Sequence, residues 1–203
     1  DSQGFYLKDT DENVLTLNGA EYVEVDSIIT TIGADTSGTL DMWVKPDDGQ
    51  PSSNIVPVSI GDTNDDEHIS IYSQTDGKLS IRARDKVGGG TDKWVFVTDS
   101  AVWENNESTW KSIVLVQNGT APVLYINGSV VAITFSVTTD KTVWINALTG
   151  LDAVRIGHRN YDSGGGDLFY SGQIDDFRYY SNKALSATEV LKNYNAGLSK
   201  HRN

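Results

Sequence analysis

Apolar and polar residues alternate with a period of two along most of the chain, and the alternation stops at turn-forming residues. Residues 13–25 (NVLTLNGAEYVEV) read as two short strands around Asn18-Gly19, a hairpin or bulge signal. Thr39 to Lys45 (TLDMWVK) alternates, and Pro46 ends it inside the turn run PDDGQP. Strands follow over 54–61, 69–72 and 78–84, the last two joined through Gln74-Thr75-Asp76-Gly77. Another covers 94–97, 101–109 reads as a loop, and 110–116, 123–127 and 129–137 form a meander broken at Asn118-Gly119 and Asn127-Gly128. A strand at 154–157 precedes the closing stretch, and residues 1–13 are polar and predicted irregular.

The closing stretch, Gly172 to Val190, combines a strand with a helix. Strict alternation points Asp175, Phe177 and Tyr179 one way and Ile174, Asp176, Arg178 and Tyr180 the other. Ser181-Asn182 turns the chain, and Ser186 with Glu189 forms a capping box that opens a helix over 186–196. Asp175 thereby shares a face with two aromatic residues that must be buried. A buried carboxylate requires hydrogen-bond donors or a metal ion.

About a dozen short strands with turns every 8–12 residues and one C-terminal helix predict an all-β fold, an antiparallel two-sheet jelly-roll sandwich. No repeat, linker or compositional break interrupts residues 1–203, so a single domain is expected. A hydrophobic content of 38% with five Trp and nine Tyr suffices for a core. Zero cysteines exclude disulfides, thiol chemistry and Cys-ligated zinc. The net charge of -12 argues against nucleic acid, whose phosphates need a basic footprint, and suits divalent cations or a solvated acidic surface. Apolar runs are of strand length, so no membrane insertion is expected. A chain opening on Asp1 rather than Met is expected to be processed from a longer protein. Three sequons, at Asn106, Asn118 and Asn127, add little, because hairpin chemistry accounts for two of them.

The landmarks LTLNGAEYVEV (15–25), GTLDMWVKPD (38–47), STWKSIVLVQNGTAPVLYINGSVVA (108–132) and AVRIGHR (153–159), leading into GQIDDFRYYSNKALSATEV, resemble the laminin-G-like, concanavalin-A-like jelly-roll domains. The final YNAGLSKHRN is similar to the tail of such domains in bacteriophage virion proteins. The resemblance implies the fold firmly and the function weakly, since the fold hosts lectins, adhesion modules and polysaccharide-cleaving enzymes. It also implies a structural calcium ion at Asp175, completed by backbone oxygens of the Asn18-Gly19 turn; the alternative is that Asp175 accepts backbone N–H groups. Further calcium candidates are Asp62 and Asp65 in DTNDDEH, where a solvated turn is the competing reading, and Asp162 with Asp167 beside the Gly164–Gly166 triplet. The Glu-x-Asp-x-x-Glu pattern of related glucan hydrolases does not occur here, nor does the Gln-x-His of alginate-lyase-like members, so catalysis is not expected.

The same alternation distributes polar side chains. With Leu79, Ile81 and Ala83 inward, Ser80, Arg82 and Arg84 face outward; Ile69 and Ile71 leave His68, Ser70 and Tyr72 outward; Val154 and Ile156 leave Arg155, Gly157 and Arg159 outward. If these strands are neighbours, they build a basic polar face suited to an anionic glycan, unless surface acids neutralise it. Trp103, Tyr161 and Tyr170 are the aromatic residues expected to meet sugar rings, whereas Trp43, Trp110 and Trp144 are assigned to the core and Trp94 stays open. The sequence thus predicts a non-catalytic carbohydrate-binding or adhesion domain, calcium-stabilised, extracellular or on a cell or virion surface. It would meet a polysaccharide or cell-surface glycan through loops 61–67, 99–107 and 158–167 and the arginine face. The alternative is a surface-decoration domain that contacts other virion or surface proteins; a polysaccharide-cleaving enzyme comes last.

Overall fold

The computed structural model describes residues 4–6, 14–86, 90–159 and 168–202. Two antiparallel sheets face each other. In the first, β1 (Gly4–Tyr6) and β2 (Leu15–Asn18) lie end to end along β16 (Ser171–Ser181), followed by β4 (Gly38–Pro46), β9 (Lys111–Gln117), β10 (Pro122–Ile126) and β11 (Ser129–Val130). The second runs β12 (Ile133–Thr138), β8 (Thr91–Thr98), β7 (Leu79–Asp85), β6 (His68–Ser73), β5 (Ile55–Gly61), β13 (Ala153–Ile156), β3 (Val23–Glu24). A two-stranded ladder, β14 (His158–Arg159) with β15 (Leu168–Phe169), completes the described strands. The predicted sandwich is therefore the architecture found.

Alternation builds the core. Leu40, Met42 and Val44 of β4 and Ile113 and Leu115 of β9 meet Ile69 and Ile71 of β6, Ile81 and Ala83 of β7, and Trp94 and Phe96 of β8, all at 2% exposure or less. Each buried side chain of this size contributes about 1.5–3 kcal/mol. Trp94 and Trp144 belong to this core, their indole N–H groups donating to the Val143 carbonyl and the Tyr179 hydroxyl.

Three features depart from the sequence reading. Gly4–Tyr6 pairs as a strand with Arg178–Tyr180, inside the segment expected to be irregular. The stretch 26–32 forms a 3-10 turn (Asp26–Ile28) and a short helix, α1 (Ile29–Ile32), where Ile28 and Ile32, four residues apart, are buried together; its β-branched composition concealed the helix. Most consequential is a β-bulge in β16: Asp175 pairs with Trp43 but Arg178 with Asp41, so one extra residue is accommodated, and Asp176 takes φ 49°. Strict alternation cannot survive that insertion. Ile174, Phe177 and Tyr179 all point into the core, and Asp175 points outward instead of sharing a face with the two aromatic residues.

The outer face of the first sheet is covered. Helix α2 (Ala187–Gly197), capped as expected by Ser186 and Glu189, lies over it. Val190 and Leu185 pack on Val114 and Val116, Asn193 donates to Asp41 at 2.8 Å, and Tyr194 stacks on Trp43. Trp43 is thus buried as expected, but beneath the helix and not between the sheets.

Candidate functional site

Polar side chains line up on the outer face of the second sheet, where Ser59, His68, Ser70, Tyr72, Arg155 and Arg159 are buried at 8% exposure or less and Arg82 and Arg84 are more open. Cross-strand register sets Arg155, Ser59, Ser70 and Arg82 in one row and His68 and Arg84 in the next. The buried hydroxyls of Ser59 and Ser70, 2.7 Å apart, form a small-residue floor. Beside it, the Tyr72 ring lies between two guanidiniums, with Arg159 5.5 Å and Arg82 6.0 Å from its centroid. Arg159 donates to the Tyr72 hydroxyl at 3.0 Å, and that hydroxyl lies 3.0 Å from His68 Nε2. The other ring nitrogen, Nδ1, faces the Asp66 carboxylate at 3.4 Å, an acceptor, so the ring hydrogen sits on Nδ1 and Nε2 accepts from the Tyr72 hydroxyl. Burial, the largest influence, pushes the His68 imidazole below its ordinary value against the pull of Asp66, which suits a neutral ring that accepts from Tyr72. Burial likewise raises the Tyr72 phenol.

Two guanidiniums, from Arg82 and Arg84, meet two carboxylates, Asp66 and Asp92. Arg84 binds both acids, the first through a short Nε contact and the second at 3.1 Å. Arg82 lies 3.4 Å from Asp92 and, with its side chain 35% exposed, turns toward solvent more than the others. Arg159 adds a third guanidinium over the Tyr72 ring, so arginines gather on this face of a chain of net charge -12. Two clefts of 310 and 430 Å³ lie elsewhere, one lined by Asp99, Lys111 and Asn127 and the other by Ser37, Asp140 and Asn146. Neither contains an arginine.

The other expected residues do not join this group. Arg155 occupies the right row, but Asp26, Glu24 and the Tyr22 ring surround its guanidinium, which is already neutralised. Trp103 is 1% exposed and donates to the Thr109 carbonyl at 2.9 Å, so it pins its loop from inside instead of meeting a ligand. Tyr170 is fully buried between the sheets, again not a contact residue. Tyr161, Asp162 and Asp167 lie outside the described residues.

The expected calcium arrangement does not fit. Asn18 pairs with Ser171, four residues from Asp175, about 13 Å along a strand, so Asn18 and Gly19 cannot share an ion with that carboxylate. Asp175 instead accepts from the Asp176 N–H at 2.7 Å and from His201 Nε2 at 2.8 Å. Asp62 and Asp65 have a cation already, the Lys86 ammonium, at 3.6 and 2.5 Å.

Sequence reading missed Tyr22. Its ring, 38% exposed, caps a stack of His158 (centroids 4.5 Å) on Phe169 (4.3 Å) beside Arg155. Its place in AEYVEV gave no sign of this, because the stacking partners lie more than 130 residues away in the sequence. Asp92, which bridges Arg82 and Arg84, was equally silent.

Against this geometry stand the comparisons. The family model described as the concanavalin A-like lectin/glucanases superfamily matches residues 17–191. Among solved structures, a Ruminococcus gnavus IT-sialidase CBM40 domain bound to α2,3-sialyllactose is similar with a TM-score of 0.72 and 17% identity, over 90% of this chain and 96% of that one. The NanB sialidase of Streptococcus pneumoniae matches with a TM-score of 0.72 and 22% identity over 89% of this chain, though only 27% of its own. Domain 4 of the extracellular arabinanase AbnA from Geobacillus stearothermophilus, in complex with arabinotriose, matches with a TM-score of 0.61 and 18% identity, over 95% and 81% of the two chains. At such identities the likeness establishes a shared fold. No curated protein matches the chain in sequence.

Proposed function

The chain belongs to the concanavalin A-like lectin/glucanase superfamily, and on that premise we propose that it is a non-catalytic carbohydrate-binding domain for a carboxylate-bearing glycan of the sialic acid type. The ligand lies on the outer face of the second sheet, with its carboxylate on Arg82. One observation carries this reading: Arg82 and Arg159 lie over the Tyr72 ring, with Arg84 two residues further along the strand of Arg82, on the outer face of the second sheet of an acidic protein. A planar guanidinium fork pairs with a carboxylate bidentately, which a neutral sugar cannot match. Asp92 and the Tyr72 ring hold Arg82 in place, so less side-chain freedom is lost on binding. Tyr22, at the edge of the same sheet, offers an exposed ring for the apolar side of a sugar.

The acids of this face support binding over cleavage. Asp66 and Asp92 are engaged by Arg84 instead of standing opposite each other as an acid and a nucleophile. The sialyllactose complex of the R. gnavus domain supports an acidic ligand, and the arabinotriose complex supports glycan binding by this fold more broadly. A glycan array tests the proposal: sialylated or uronate-bearing glycans are expected to bind, and their neutral counterparts to be silent. An array on which neutral glycans bind as well as acidic ones would overturn the acidic-ligand assignment.

A further inference from the structure

The face of β16 beneath the C-terminal segment carries a cluster that carbohydrate binding does not use. Asp175, Asp176 and His201 each bring a ligand atom within 4.8 Å of the others, and among the described residues no other three His, Asp or Glu side chains do so. His201 arrives from beyond α2. Its ring lies flat on Trp43, centroids 4.2 Å apart, and meets Trp110 edge-on at 4.9 Å, so two indoles fix its plane. Nδ1 lies 2.9 Å from the Gly197 carbonyl, an acceptor, and therefore carries a hydrogen. Nε2 then points at Asp175 Oδ2, 2.8 Å away. A lone pair and a carboxylate oxygen do not face each other at that distance without a cation between them, either a proton or a metal ion. A backbone carbonyl behind the ring is also the arrangement that orients metal-bound histidines.

We propose that Asp175, Asp176 and His201 bind one divalent transition ion of the zinc class, which displaces the proton between His201 Nε2 and Asp175 Oδ2. One imidazole nitrogen and two carboxylates suit zinc, with water completing four-coordination. Calcium prefers six to eight oxygens, so this is not the calcium site expected from sequence. Charge supports the assignment. Asp41, 2% exposed, lies nearby, and Arg178 serves as counter-ion to both Asp176 (3.3 Å) and Asp41 (3.8 Å). Asp175, Asp176 and Asp41 gather carboxylates at one point of the sheet, which favours a cation there. The displaced proton leaves to solvent, so zinc uptake weakens as pH falls. The ion would tie the last residues of the chain to β16.

The test uses the tag-free chain in zinc chloride, with uptake read by competition against a chromophoric chelator and melting followed in parallel with EDTA as reference. One zinc per chain and a raised melting temperature are expected, and His201→Gln is expected to weaken uptake about tenfold or more. A wild-type chain that takes up no zinc overturns the proposal, as does a His201→Gln chain that takes it up equally well. If circular dichroism finds His201→Gln unfolded, Asp175→Asn carries the same comparison.

Discussion

Arg82 has one carboxylate within salt-bridge reach and solvent on its remaining side, whereas Arg84 has two and Arg155 is enclosed by Asp26, Glu24 and Tyr22. That difference selects Arg82 as the residue to change. Arg82→Ala is expected to lose about 1.5–3 kcal/mol of glycan affinity, the worth of hydrogen bonds to a charged group, and to shift stability by no more than about 0.5 kcal/mol because the side chain is partly exposed. Calorimetric titration beside urea unfolding separates the two effects. Tyr170 poses the opposite case: its hydroxyl is buried with no hydrogen-bond partner among the described residues, and burial drives its phenol well above the ordinary value. Tyr170→Phe removes an unsatisfied polar group at nearly constant volume, so the urea midpoint is expected to stay level or rise; a loss above about 1 kcal/mol would reveal a partner for the hydroxyl. Single residues were legible where strand parity governs them. Arg82, Arg84, His68 and Tyr72 lie on the side away from the core as alternation requires, though His68 at 2% and Tyr72 at 7% exposure are not presented to solvent as expected; Trp103 and Tyr170 were taken for exposed because acids and glycines flank them. Flanking composition does not report what the ring itself packs against.

At the scale of elements, one inserted residue in β16 decides where Asp175 goes. A bulge with Asp176 at φ 49° leaves no composition signal, since Asp is among the few residues that tolerate that conformation. The capping box of α2, by contrast, was readable because its two residues stand at a fixed spacing. The end of that helix is packed closely: a Cβ on Gly197 would stand 2.5 Å from Trp43 Nε1. Gly197→Ala is therefore expected to cost about 1–3 kcal/mol despite alanine's higher helix propensity, as urea unfolding would register. The loop 104–109 carries a pH signature. Burial, the largest single influence, raises the Glu107 carboxyl, but hydrogen bonds from Thr109, the Glu104 N–H and Lys111 outweigh it and hold the group at about 2, below its ordinary 4.5. A depressed folded value means that the contribution is fully present above pH 4.5 and is lost as pH falls toward 2. Urea midpoints across that interval are expected to converge for wild type and Glu107→Gln. A constant gap would contradict the assignment.

For the whole molecule, the asymmetry between the two sheets organises the proposed function. One outer face is packed by α2 and the C-terminal segment, while the other carries arginines beside a floor of small hydroxyls, with Arg82 the partly exposed one. The two-sheet architecture was legible because a dozen short alternating strands leave few other ways to bury their inner faces. Which strands are neighbours was not, because register between β5, β6, β7 and β13 depends on long-range pairing. That pairing is what brings scattered arginines together into the proposed site. On a protein of charge -12 an acidic ligand is repelled everywhere except at such a patch, so binding is expected to weaken with added salt as the local attraction is screened. The most direct test is calorimetric titration of wild type and Arg82→Ala with 3′-sialyllactose and with lactose at low and physiological salt. Binding of sialyllactose alone, by wild type alone and more tightly at low salt, is the predicted result. Equal binding of lactose, or undiminished binding by Arg82→Ala, would contradict it.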